Sequence, residues 1–146
     1  MELKNQLSFC SYNLKNYEDI TDKKQGKHEI SAVEKMYNEC TFLILQETWL
    51  TENEFIRKFK KQFPESECIS ASKMDIDDIR PGRPYEGVSI CYDSKLKCNV
   101  DTIITVSKSI NAQKIYIEGL SLLLINVYMP CSNSKDKLEE YTSILQ

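Results

Sequence analysis

The first half of the chain sets its apolar residues in short runs and helical stripes, and the second half sets them in strand-like runs. Residues 7–12, LSFCSY, are short and apolar-leaning and stop at the turn-prone Asn13, which predicts a strand. The polar, charged stretch 14–27, with Gly26, predicts a loop. Ile30, Val33, Met36 and Tyr37 recur at helical spacing, so an amphipathic helix is expected over 28–39. TFLIL at 41–45 is a continuous apolar run, the pattern of a strand covered on both faces.

The sharpest local signal follows. Thr51 and Glu54 make a T-x-x-E capping box, and Leu50 and Phe55 stand where a hydrophobic staple sits. Phe55, Ile56, Phe59 and Phe63 then form one buried stripe, and Pro64 ends the helix. ECISAS at 67–72 predicts a strand, and DIDDIRPGRPYEG at 75–87 a long polar loop. VSICY, NVDTIITV, KIYIEG and SLLLINVY make the chain β-rich from Val88, with turns expected at Gly119 and around Asn111. The last segment, 134–146, reads as a polar helix with Glu139 and Glu140 exposed. Helix–strand alternation followed by a run of strands predicts an α/β (α+β) domain with a mixed sheet, spanning 1–146.

Composition narrows the functional classes. The 146 residues are 41% hydrophobic and 28% charged, enough for one globular domain with a core of its own. A net charge of -3 argues against sequence-independent binding of polyanions through a basic footprint. It leaves open a nuclease that reaches phosphate through a bound cation. Cys10, Cys40, Cys68, Cys91, Cys98 and Cys131 include no C-x-x-C pair, so neither a zinc ribbon nor a redox motif is expected. Free thiols in a reducing, intracellular compartment are the expectation. MELKNQLSF lacks a long apolar core and the longest apolar runs, FLIL and LLLI, are far short of a membrane span, so no membrane partner is expected.

Other motifs carry less. Gly82 and Gly87 have P-loop spacing, but Val88 stands where the lysine belongs. Asp75, Asp77 and Asp78 are followed by Ile79 and Arg80 where a calcium loop needs oxygen ligands and glycine. RKFKK at 57–61 fits the solvated face of the capped helix, and Trp49 is expected to pack beneath that helix.

The candidate chemistry lies where three apolar strands end in polar groups, at Asn13, at Gln46 with Glu47, and at Tyr128. In open α/β sheets ligands gather beyond the carboxyl ends of strands. Magnesium is held through one or two carboxylates and completes its octahedron with water and substrate phosphate. Glu47, at the end of a buried strand, is the candidate carboxylate.

FCSYN at 9–13, LILQETWL at 43–50, GRPYEGVSICY at 82–92 and LLINVYMPC at 123–131, in that order, resemble the endonuclease/exonuclease/phosphatase superfamily. QETWL with GRPYEGVSI and NVYMPC is most similar to the endonuclease domain of non-LTR retrotransposons, relatives of the apurinic/apyrimidinic endonucleases and exonuclease III. The resemblance implies the N-terminal half of a four-layer α/β/β/α sandwich and a Mg²⁺- or Mn²⁺-dependent hydrolase that nicks DNA. It implies that Glu47 ligates the metal, that Asn13 helps to place metal and catalytic groups, and that the Tyr128 hydroxyl lies near the scissile phosphate. A phenol there can donate a hydrogen bond to charge developing on the phosphate oxygens. Arg83, with Arg80, is the candidate contact to a DNA backbone. The retroelement analogy adds nuclear action and, as partners, a C-terminal half or a downstream reverse transcriptase.

The chain departs from the family pattern at several points. Lys15 stands where many members carry an acidic residue, Cys131 where many carry asparagine (with Asn133 two positions on), and Glu86 where retroelement members often have glycine. The second-half Asp-x-Asn and Asp-His motifs have no counterpart, and the only histidine is His28, in the first predicted helix. A general base poised near neutral pH is thus missing. The expectation is a truncated member that is inactive alone and exposes an apolar sheet face. The alternatives are a phosphatase of the same fold acting on a small phosphoester, and a non-catalytic remnant or binding module.

Overall fold

A computed structural model describes residues 6–15, 17, 26–74, 86–129, 139 and 142, with the backbone alone described over 26–31. The elements run β1 (Phe9–Asn13), α1 (Gly26–Glu39), β2 (Phe42–Gln46), α2 (Glu52–Gln62), β3 (Ser66–Ala71), β4 (Val88–Asp93), β5 (Cys98–Ile103), β6 (Ile110–Ile117) and β7 (Leu120–Val127). They form a mixed sheet of order β1-β2-β4-β3 and an antiparallel sheet of order β5-β6-β7. β1 and β2 are parallel, with Asn13 beside Gln46, whereas β4 runs antiparallel to both β2 and β3.

The apolar run of β2 is explained by what lies on each side of it. Leu43 and Leu45 face the helices and join Val33, Phe55, Phe59 and Cys91 in one core. Phe42 and Ile90 face the other way and meet Leu96, Ile115 and Ile117 between the two sheets. The first sheet is therefore the middle of three layers among the described residues, and its central strands need apolar side chains on both faces.

Helix α2 begins as the sequence predicts. The Thr51 side chain accepts the Glu54 amide and the Glu54 carboxylate accepts the Thr51 amide, closing the capping box. Leu50 and Phe55 are both buried in the core beneath it. Phe55 and Phe59 are fully buried, Ile56 only half, and Phe63 is the half-buried C-cap. Thr51→Ala removes the cap and is expected to lower stability by about 1 kcal/mol, to be checked by urea denaturation.

Three sequence expectations need correction. The polar stretch after β1 contributes core residues, because Leu14 and Tyr17 are buried and the Tyr17 ring meets Phe55 edge-on at 5.2 Å. Asn111 lies within β6 opposite Asn126, not in a turn. β5 stops at Ile103, and the connection to β6 exposes Ile104 (97%) and Val106 (84%), with Thr105 Oγ1 donating to the carbonyls of Ser107 and Ile110.

The outer face of the second sheet is open along β7, where Leu123, Ile125 and Val127 alternate outward, the first two more than half exposed. Such a face is the one expected if a further layer belongs there. Glu139 and Thr142 are helical and exposed; the rest of 134–146, Cys131, and the loop with Asp75, Asp77, Asp78, Arg80 and Arg83 lie outside the described residues. No helix among the described residues is long and apolar enough to cross a membrane.

Titration of the core sets an alkaline limit. Burial first, then neighbouring Cys10, pushes the Cys40 thiol from its ordinary 9.0 up to about 12. Burial likewise holds Cys91 well above 9.0 and moves the Tyr92 phenol from 10.0 up to about 12. The fold favours the neutral forms, so the unfolded chain loses these protons first. Stability is therefore full below about pH 9 and falls as pH rises toward about 12, which thermal melts across that range will register as a falling Tm.

Candidate metal centre

The carboxyl ends of β1, β2 and β7 meet at one rim, together with the start of β4. At the end of β2 the backbone of Glu47 adopts φ 53, a left-handed conformation uncommon outside glycine. That turn carries the carboxylate to Asn13, whose Nδ2 donates to Glu47 Oε1 at 2.8 Å. The amide of Asn13 is oriented from its other side, because Oδ1 accepts the Lys15 backbone N–H at 3.3 Å in an Asx turn. Asn13 therefore presents a donor to Glu47 and aims the carboxylate.

The loops around this contact are sewn together through the backbone. Leu14 N–H donates to Gln46 O at 2.9 Å and Tyr17 N–H to Thr48 O at 3.0 Å. Thr48 N–H donates to Gly87 O at 3.2 Å and Trp49 N–H to Glu86 O at 2.9 Å. Glu86 (φ 68) and Gly87 (φ 93) are both left-handed, a conformation that costs least at glycine. Glu86 is buried here, with Lys73 Nζ 3.5 Å from its Oε1.

Tyr128 follows β7 at the same rim. Its N–H donates to Ser109 O at 3.0 Å and its side chain is half-buried. Its placement follows from Asn126, two residues earlier, which is buried and donates through Nδ2 to Leu45 O at 2.9 Å and Ser89 O at 3.1 Å. Gln46 Nε2 donates to Asn126 Oδ1 at 2.9 Å and to Ser11 Oγ at 3.0 Å. A second amide bridge runs from Thr102 through Gln113 to Asn111, which donates to Ile69 O at 2.7 Å.

The structure thus brings Asn13 and Glu47 into direct contact and sets Tyr128 on their rim, while Arg83 falls outside the described residues. Sequence reasoning missed the bridging amides Asn126, Asn111 and Gln113. The available signal was the period-two alignment of Asn111 and Gln113 with Ile115 and Ile117 on one face of β6.

The donor set fits a hard cation that keeps most of its water. One carboxylate is offered, and the bond from Asn13 leaves it further lone-pair directions out of about four. Among the described residues no group of three His, Cys, Asp or Glu side chains is placed to hold a metal. One carboxylate completed by solvent is a donor set of the kind magnesium or manganese takes, whereas zinc wants several nitrogen or sulfur ligands.

The fold matches about half of each of three solved nuclease and phosphatase structures. An AP endonuclease from Archaeoglobus fulgidus matches 94% of this chain with a TM-score of 0.58 and 16% identity, over 49% of its own length. The endonuclease domain of TRAS1, a telomere-specific non-LTR retrotransposon, matches 96% of this chain with a TM-score of 0.53 and 14% identity, over 54% of its own length. A 3′ phosphatase from Neisseria, NExo, solved bound to a product DNA hairpin, matches 95% with a TM-score of 0.57 and 15% identity, over 48% of its own length. The chain therefore spans about half the length of these structures. No family model and no curated protein matches its sequence.

Proposed function

We propose that this chain supplies the metal-holding side of a Mg²⁺- or Mn²⁺-dependent site that hydrolyses a phosphodiester, as in the DNA-nicking endonucleases of non-LTR retrotransposons. The observation that carries the reading is the Asn13–Glu47 contact at the carboxyl ends of parallel strands β1 and β2. In this reading Glu47 holds the cation, Asn13 aims the carboxylate, and the Tyr128 phenol donates to a phosphate oxygen. Arg83 supplies a contact to the nucleic-acid backbone. The cation, when bound, supplies Lewis acidity and a template for in-line attack. The acid–base partner is assigned to a second half of the domain, because the only histidine, His28, belongs to α1. A reverse transcriptase domain and nuclear action are the corresponding partner and setting.

A phosphatase of the same fold would use the same rim, and the likeness to the 3′ phosphatase NExo supports that second reading, with a phosphorylated DNA end rather than a small phosphoester as the substrate to test first. Supercoiled plasmid and a 3′-phosphorylated oligonucleotide, each incubated with Mg²⁺, separate the two. The 146-residue chain alone is expected to leave both intact. When it is joined to the remaining half of a structural relative, nicking is expected to appear and to be lost in Glu47→Gln. Equal nicking by parent and Glu47→Gln would end the proposal, and nicking by the chain alone would overturn the assignment of the base to a second half.

A further inference from the structure

The amide bridge between the sheets does more than pack. Asn126 is 2% exposed, and its side chain makes three bonds to the first sheet, two donated to the carbonyls of Leu45 and Ser89 and one accepted from Gln46. Only one amide orientation meets two carbonyls with donors and an N–H with an acceptor, so the side chain is fixed. Gln46 passes the constraint on to Ser11 in β1, two residues before Asn13. Glu47 follows Gln46 directly and is the residue held at φ 53. A left-handed glutamate costs free energy and persists only where its surroundings over-determine it. The bridge is the part of those surroundings that comes from β7, the strand that leads into Tyr128.

We infer that Asn126 is a positioning residue, which through Gln46 holds the turn at Glu47 and fixes the carboxylate relative to Asn13 and Tyr128. The inference rests on the proposed role of Glu47 as a metal ligand. Partners standing behind a ligand, when removed, lower metal affinity by about 10–100-fold.

The test is Mn²⁺ binding to the full 146-residue chain, followed by water-proton relaxation, with Tm recorded for each protein. Asn126→Ala is expected to weaken Mn²⁺ binding about 10-fold. Ile115→Val trims a fully buried residue between the sheets, outside the bridge, and is expected to lower Tm while leaving Mn²⁺ affinity unchanged. Gln46→Met cuts the link from Asn126 to Ser11 and is expected to weaken binding in the same direction. It decides the matter if Asn126→Ala does not fold. Wild-type affinity in a folded Asn126→Ala or in Gln46→Met, with binding lost in Glu47→Gln, would overturn the inference alone. Identical binding by wild type and Glu47→Gln would overturn the metal-ligand role and the inference together.

Discussion

Gly87→Ala is expected to lose about 3 kcal/mol of stability and to disturb the site at the same time. A Cβ at this position would lie 2.1 Å from Thr48 Oγ1 and 3.4 Å from the Trp49 nitrogen. Thr48 is fully buried, so its side chain has little room to retreat. The backbone adds to the strain, because φ 93 suits glycine and is costly for an L-residue. Overpacking of this kind costs about 1–3 kcal/mol and the forced left-handed conformation about 1–2 kcal/mol. For a domain of this size the sum corresponds to a fall in Tm of about 10 °C. Because Gly87 O accepts from Thr48 N–H, the displacement reaches the residue next to Glu47. Thermal melts of Gly87→Ala beside Gly119→Ala give the comparison, since at Gly119 (φ 80) a Cβ would meet nothing within 4 Å. Equal Tm losses in the two variants would contradict the packing argument.

Glu47→Gln is expected to abolish Mn²⁺ binding at the rim while leaving the fold intact. Glutamine keeps the shape and an oxygen that can still accept from Asn13 Nδ2, so the stability change is at most about 1 kcal/mol. The negative charge is lost, and with it the one carboxylate in the proposed donor set. The fall in affinity is expected to be at least about 100-fold, the upper end of what removing a residue behind a ligand costs. Counting free Mn²⁺ by electron paramagnetic resonance checks this directly.

Much of the fold was legible because its cues are local. Thr51, Glu54, Leu50 and Phe55 state the start of α2 within a few residues, and the apolar run of β2 states that both its faces are covered. The polar group ending that run pointed to Glu47, and its contact with Asn13 follows from the parallel pairing of β1 and β2. What sequence reasoning missed depends on pairing at long range. Asn111 reads as a turn residue because asparagine favours turns, yet here its amide is satisfied by carbonyls of another sheet. Leu14 and Tyr17 sit in a stretch whose charge suggests a loop on the surface, but hydrogen bonds to Gln46 and Thr48 draw the backbone at both residues inward. The inter-sheet role of Asn126 likewise has no local cue, since its partners lie between 37 and 81 residues away in sequence.

The proposed function requires a divalent cation beside Glu47, at the rim shared by β1, β2 and β7. Paramagnetic broadening of backbone amide resonances by substoichiometric Mn²⁺ tests it most directly. Selective loss of the Asn13, Glu47 and Tyr128 signals is expected, with those of Glu118 and Gly119 in the hairpin between β6 and β7 unaffected, and no such loss in Glu47→Gln. Broadening centred on Asp75, Asp77 and Asp78, with the rim signals preserved, would contradict it.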